Sequence, residues 1–138
     1  MKIILLAGRK NSGKTTTMHK VYDFLSAATK TKPKKNPISI KMPKDFHCEF
    51  TYKKNRVALF SSGDTLHLLL EGIFIYSDAD YLIIPFSTGG AIKTKVLSSF
   101  RACKNQIPIN KTVSPKNAAK TVQDKANDKD CKSIAAAI

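Results

Sequence analysis

Residues 8–15 constrain the chain more than any other stretch, because they match the spacing G-x-x-x-x-G-K-[ST] at every fixed position. The apolar run before them, residues 3–7, is typical of a buried strand. After them, apolar residues recur at helical spacing from Met18 to Leu25. The sequence therefore predicts a strand, a glycine-containing loop and a helix, in that order.

The residue types in this loop suit the binding of a phosphate group. Glycine at positions 8 and 13 permits a close approach that a Cβ would block. The intervening N–H groups can then turn inward at a helix amino terminus, where the helix dipole favours an anion. Lys14 would contribute positive charge at the β- and γ-phosphates, and the Thr15 hydroxyl would ligate Mg²⁺. The predicted phosphate-binding residues are Gly8, Arg9, Lys10, Asn11, Ser12, Gly13, Lys14, Thr15 and Thr16.

With this loop between a strand and a helix, the chain resembles the P-loop containing nucleoside triphosphate hydrolase superfamily. The motif carries the resemblance over residues 1–25, and beyond them it is architectural. The resemblance implies bound ATP or GTP with Mg²⁺, but it does not specify what is done with the nucleotide.

Length and charge limit the other possibilities. The 138 residues are enough for one domain, residues 1–138, and 42% of them are hydrophobic. No apolar run is long enough for a membrane helix or a signal-peptide core, so we expect a cytoplasmic protein with no membrane partner. The net charge of +14 indicates either a polyanionic partner, nucleic acid or an acidic protein, or a solvated lysine-rich surface.

The remaining patterns predict alternating strands and helices. Residues 30–37 read as a basic connector, Pro43 ends a short strand, and a helix opens at Ser114-Pro115 and continues or frays over residues 127–138. This order predicts an α/β fold, three-layer α/β/α, with a mostly parallel sheet of about five strands. The other strands are expected at 46–52, 56–60, 81–86 and 106–113, and the other helices at 66–73 and 92–104.

A triphosphate site also needs an acid near Mg²⁺, usually at the end of a hydrophobic strand. Of the ten acids, Asp64 alone follows an apolar strand at its carboxyl end, and it is predicted to hold Mg²⁺ through water or to activate a nucleophile. The alternative is that Asp64 caps the next helix. Asp45 and Glu49 are the reserve candidates. By resemblance to the superfamily, Gly63 would bring a backbone N–H to the γ-phosphate.

Two further stretches bear on the phosphoryl-transfer reaction and on the choice of nucleobase. Residues 87–95 resemble the lid of small P-loop kinases, in which Lys93 and Lys95 would stabilise the transferring phosphoryl group, unless they lie on a solvated helix surface. Residues 110–113 look like the guanine-reading N-K-x-D, but Val113 stands where the acid belongs. ATP is therefore favoured over GTP.

These patterns lead to two functional hypotheses, besides a third in which the phosphate site is degenerate and kept only as structure. In the first, the chain is a small kinase-like phosphotransferase or slow ATPase that uses Mg·ATP, with catalysis by Lys14, Asp64, Lys93 and Lys95. Its unknown small-molecule acceptor would lie between the region 30–49 and the segment 63–70. In the second, the chain is a nucleotide-dependent binding module whose basic surface contacts nucleic acid or an acidic protein.

Overall fold

The computed structural model describes residues 1–89 and 105–138. None of the helices in these ranges is long and apolar enough to cross a membrane. The predicted helix at 92–104 lies outside the described residues. The described strands are β1 (Lys2–Gly8), β2 (Asn36–Ser39), β3 (Met42–Tyr52), β4 (Asn55–Phe60), β5 (Tyr81–Ser87) and β6 (Gln106–Asn110), and the helices are α1 (Lys14–Thr29), α2 (Leu66–Ile75) and α3 (Lys120–Ala136).

The six strands form one mixed sheet in the order β2-β3-β4-β5-β1-β6. β1 is parallel to both of its neighbours, and β4 is parallel to β5. β2, β3 and β4 pair antiparallel. The predicted three-layer α/β/α fold with a mostly parallel sheet of about five strands is therefore wrong in its sheet, which has six strands and is mixed. The connections within β2–β3–β4 are short turns, whereas a parallel pair needs a crossover of a dozen or more residues.

The turn between β3 and β4 is a tight two-residue connection. Lys53 and Lys54 occupy it with φ of 49° and 66°, and Tyr52 pairs with Asn55 across it. Between the strands expected at 46–52 and 56–60, the sequence Lys53-Lys54-Asn55 is typical of a hairpin turn, because asparagine tolerates positive φ. The hairpin is confirmed, but Asn55 already belongs to β4, and the two lysines have the positive φ. Pro43 was expected to end a strand and instead lies near the start of β3, a position where strands tolerate proline.

Apolar side chains pack on both faces of the sheet. α1 and α3 cover one face, where Met18, Leu25 and Ile134 are fully buried. α2 packs on the other face through Leu69. β1 contributes buried residues to both clusters, since successive side chains of a strand point to opposite faces. The loop that follows β1 thus begins at the end of a strand that is buried on both faces.

The carboxy-terminal helix begins later than predicted. Asn117 has a left-handed φ of 62°, and the Ala118 N–H donates to the carbonyl of Pro115 at 3.0 Å. A left-handed residue interrupts a right-handed helix, so residues 115–118 form a turn and α3 starts at Lys120. The predicted helix start at Ser114-Pro115 is therefore wrong. The helix then continues to Ala136 rather than fraying.

Candidate functional site

The loop after β1 has the backbone that its glycines predict. Gly13 is the residue before α1 and has a φ of 87°, and Asn11 is also left-handed at 59°. No side chain caps α1, and its first turn contains no acid. The first N–H groups of a helix have no partner within the helix, so this uncapped end is suited to an anion.

Lys14 folds back over the loop instead of extending into solvent. Its ammonium donates to the carbonyl oxygens of Gly8 at 3.1 Å and Arg9 at 2.7 Å, and the residue is only 6% exposed. The same nitrogen lies 3.8 Å from Oδ1 of Asp64. The structure therefore brings together two predicted catalytic residues that are fifty positions apart, because the carboxyl ends of parallel strands meet at one edge of a sheet.

Asp64 lies on the rim of a cavity of about 310 Å³ beside the loop. Lys14, Thr15 and Thr16 line the same cavity, as does Lys10. Asp64 does not cap α2, because the Thr65 hydroxyl accepts the N–H of Leu68 at 3.2 Å and fills that role. The carboxylate of Asp64 is 57% exposed, which leaves it accessible to a ligand in the cavity.

Gly63 is required by packing. A Cβ at this position would collide with the carbonyl oxygen of Pro85 on β5. β5 lies directly beside β4, so the chain leaving β4 must pass against its backbone. Gly8 is similarly crowded, since a Cβ there would lie 2.7 Å from the Cβ of Lys111. The predicted contact of the Gly63 N–H with a γ-phosphate stays a prediction.

A buried ion pair lies against the loop. The sequence did not predict it. The Lys111 ammonium donates to Oδ2 of Asp130 at 2.7 Å, and their side chains are 1% and 3% exposed. The Thr112 hydroxyl and N–H also donate to this carboxylate. Lys111 belongs to the N-K-x-D-like run, and an acid from α3 rather than from that run pairs with it. The sequence signal that could have pointed to this ion pair was a lysine in a run that lacks an acid of its own.

A second contact joins α3 to the loop. The hydroxyl of Thr17 on α1 donates to the carbonyl of Gly13 at 3.1 Å and lies 3.2 Å from Oδ1 of Asn127 on α3. A Cβ added to Gly13 would lie 3.1 Å from the same Asn127 oxygen. Asn127 is buried although it is polar. α3 is thus held against the loop by hydrogen bonds as well as by its apolar residues.

A larger cavity, of about 540 Å³, opens on the other side of the loop. Its wall combines the loop residues Asn11, Ser12 and Gly13 with the segment after β6 and the first turns of α3. Among the described residues, the buried hydroxyl of Ser12 has no hydrogen-bond partner. An unpaired buried hydroxyl is costly, and a ligand at the loop would satisfy it.

The two reserve acids lie in different places. Glu49 forms a two-pronged ion pair with Arg56 at 2.9 and 3.1 Å. Asp45 lies near Ser62 and Asp64. Burial raises the pKa of Asp45 above its ordinary value, and the nearby Asp64 charge adds to the rise. Asp45 therefore belongs to the site, whereas Glu49 is engaged in its own ion pair.

The predicted lid residues Lys93 and Lys95 lie outside the described residues. Within residues 1–89 and 105–138, no group of three or more His, Cys, Asp or Glu side chains could hold a metal by itself. A site formed by the Thr15 hydroxyl, Asp64 and phosphate oxygens needs no such group, since Mg²⁺ keeps several waters and takes few protein ligands.

No protein-family model, curated protein or solved structure matches the chain. What the chain binds must therefore be inferred from its own residues. Those residues form a loop with an uncapped helix end, a lysine and an acid beside it, and a cavity on each side.

Proposed function

We propose that the chain binds Mg·ATP, with the triphosphate on the loop at residues 8–15. The observation that carries the proposal is the pair of cavities, of about 310 and 540 Å³, that flank this loop and share Asn11, Gly13 and Thr16 in their walls. One cavity holds the charged groups Lys14 and Asp64. An elongated ligand with phosphates at one end could occupy both.

The residues of the smaller cavity fit a triphosphate with its cation. The N–H groups at the uncapped end of α1 and the Ser12 hydroxyl would donate to phosphate oxygens. Lys14 would contribute positive charge, and Thr15 with Asp64 would hold Mg²⁺ directly or through water. When bound, Mg²⁺ supplies positive charge that stabilises the transferring phosphoryl group.

The larger cavity suits a nucleoside. Buried Lys111 lies against the loop at one side of it, and Val113, which is 71% exposed, lines it where a guanine-specific acid would stand. Valine cannot accept the guanine N1 and N2 protons, which favours adenine. Asp124 also lines the cavity, so a comparison of ATP with GTP tests whether it takes that role instead.

The proposed reaction is transfer of the γ-phosphoryl group to a small acceptor, or slow hydrolysis. Lys14 would stabilise the charge that develops on the phosphoryl oxygens, which makes catalysis mainly a matter of positioning and electrostatics. In the same proposal, Lys93 and Lys95 would supply further positive charge when the acceptor is bound.

Thermal unfolding with Mg²⁺ plus ATP, Mg²⁺ plus GTP or Mg²⁺ alone tests the binding. A nucleotide at ~100 times its dissociation constant adds roughly 2.7 kcal/mol. For a domain of this size the midpoint should rise by on the order of 10 °C. Lys14→Ala should lose the nucleotide-induced shift relative to its own ligand-free midpoint, while the exposed-lysine control Lys132→Ala keeps it. No shift for the wild-type chain with either nucleotide would refute the proposal.

A second candidate is the nucleotide-dependent binding module. Residues 24–44 contain six lysines and no acid, and they run from the end of α1 through the edge strand β2. Lys30, Lys32 and Lys34 are exposed there. Affinity for a single-stranded oligonucleotide that rises with Mg·ATP and falls steeply with salt would favour this module. Nucleotide binding without any such affinity would leave the phosphotransferase.

A further inference from the structure

A further cavity, separate from the two that flank the loop, lies beside α1. His19 is on the second turn of α1, and its Nε2 lies 3.2 Å from the carbonyl oxygen of Lys44, while its Nδ1 lies 3.1 Å from the ammonium of Lys35. A carbonyl only accepts and an ammonium only donates, so His19 must be neutral with its proton on Nε2. Burial and then the Lys35 charge lower the pKa of His19 below its ordinary value, in agreement with that form.

Lys35 is the positively charged group of this site. Its ammonium lies 4.2 Å from the ring centre of Tyr22 and 4.6 Å from that of Phe46, and both rings hold it by cation–π attraction. Of its three protons, the described residues accept one, at His19. The ammonium is thus held in one place with protons left to donate.

His19, Lys35 and Phe46 line a cavity of about 350 Å³, to which Lys44, Pro37 and Pro43 also contribute. Asp45 forms part of the same lining and lies close enough to Asp64 for their charges to interact. Asp64 in turn lies 3.8 Å from the Lys14 ammonium. Asp45 therefore places one wall of this cavity near the acid beside the phosphate loop.

We propose that this cavity binds a small phosphate monoester with a free hydroxyl group. Its phosphate would accept hydrogen bonds from the fixed Lys35 ammonium, and its hydroxyl would donate to the Asp45 carboxylate. The hydroxyl would then point toward Asp64 and Lys14, where the γ-phosphate is expected. The identification of this compound as the phosphoryl acceptor rests on the proposed function, whereas the binding of phosphate to the cavity does not.

The simpler explanation is a structural one, in which Lys35 and His19 only fasten the connector of residues 30–35 to α1. A direct readout at His19 distinguishes the two, because phosphate on Lys35 would alter the charge next to Nδ1. The measurement is the ¹⁵N resonances of the histidine side chains during titration with inorganic phosphate, at constant ionic strength kept with NaCl. The titration is made in the Lys14→Ala chain, so that phosphate binding at the loop is weakened.

We expect the His19 ring nitrogens to shift saturably, while those of exposed His67 stay unchanged. Glycerol 3-phosphate carries both a phosphate and free hydroxyls. It should saturate the shift at a concentration at least about threefold lower than inorganic phosphate requires. Lys35→Met should abolish the response, and the neighbouring exposed lysine, as Lys34→Met, should keep it. If Lys35→Met does not fold, the two titrations of the Lys14→Ala chain decide alone.

A His19 response that is absent, or that is unchanged in Lys35→Met, overturns the proposed site. This outcome is separate from failure of the proposed function, which is read from the nucleotide-induced shift of the wild-type unfolding midpoint. A phosphate response at His19 without any nucleotide shift would leave a phosphate-binding cavity and remove its role as the acceptor site.

Discussion

Asp130→Ala should strongly destabilise the chain, because it removes one member of a buried ion pair and leaves the other in place. The carboxylate of Asp130 receives the Lys111 ammonium at 2.7 Å, the Thr112 hydroxyl at 2.6 Å and the Thr112 N–H at 3.0 Å. Among the described residues, the Lys111 ammonium would keep only the Thr112 carbonyl, at 2.8 Å. With side chains 1% and 3% exposed, water cannot replace the lost partner without opening the structure.

The size of the loss follows from this burial. Removing one partner of a buried ion pair costs about 3–5 kcal/mol, because the remaining charge is uncompensated. The total stability of a domain is about 5–15 kcal/mol, so this loss is a large part of it. It corresponds to a fall in unfolding midpoint on the order of 10 °C or more for a chain of this size.

Urea unfolding at 25 °C and pH 7 measures the loss. The matched control is Asp128→Ala, an acid on the same helix whose side chain is 54% exposed and 2.8 Å from the Lys20 ammonium. An exposed pair of this kind contributes less than about 1 kcal/mol. The double variant Lys111→Met/Asp130→Leu should recover most of the stability, since it removes both charges and keeps apolar volume.

Two results would contradict this reasoning. If Asp130→Ala lost no more stability than Asp128→Ala, the carboxylate would not be compensating a buried charge. If the double variant were as unstable as Asp130→Ala, the loss would come from packing or from the Thr112 contacts rather than from the unpaired Lys111 ammonium.

Three further predictions concern the turn, a glycine and the histidines. Replacing Lys53-Lys54 by Asn-Gly should stabilise the chain by about 1 kcal/mol in urea unfolding, because Asn and Gly tolerate the positive φ of both turn positions. An Ala-Ala control should not stabilise the chain. Gly63→Ala should cost about 3 kcal/mol or more through its collision with the β5 carbonyl, while Gly89→Ala, with open space around its Cβ, should change stability by less than about 0.5 kcal/mol in the same assay. Burial lowers the pKa of His19 and of His47 in the folded chain. As pH falls below about 6.5, the unfolded chain therefore binds protons before the folded chain does, and stability should fall. Replacing both histidines by Gln should reduce the difference in stability between pH 7.5 and pH 5.5.

The elements with strong local patterns could be predicted from the sequence. The strand, loop and helix around residues 2–29 are confirmed, because apolar spacing and the glycines act within a few residues of each other. The closeness of Lys14 and Asp64 was also predictable, since both follow the carboxyl end of a strand. For these segments, a pattern within a few neighbouring residues was enough to predict the structure, because its physical cause lies within the same residues.

The strand order and the support of the loop could not be predicted in this way. The position of β5 between β4 and β1 depends on packing between distant segments, which no local period records. Asp130 lies on the carboxy-terminal helix, and its pairing with Lys111 depends on how α3 lies against β6. The error at Ser114-Pro115 had a similar origin, since a serine and proline that often start a helix instead precede the left-handed Asn117.

The position of β1 between β5 and β6 has a consequence for how the chain folds. Ile4 pairs with Ile83 on one side and with Ile107 on the other, so both neighbours of the first strand are distant in sequence. Long chain segments must be closed before these pairings contribute, and such topologies fold slowly. During synthesis, residues 8–15 emerge early, but β6 begins only at residue 106 and α3 only at residue 120. The loop at residues 8–15 is thus assembled only late in translation, and under the proposed function a nascent chain would bind nucleotide only then.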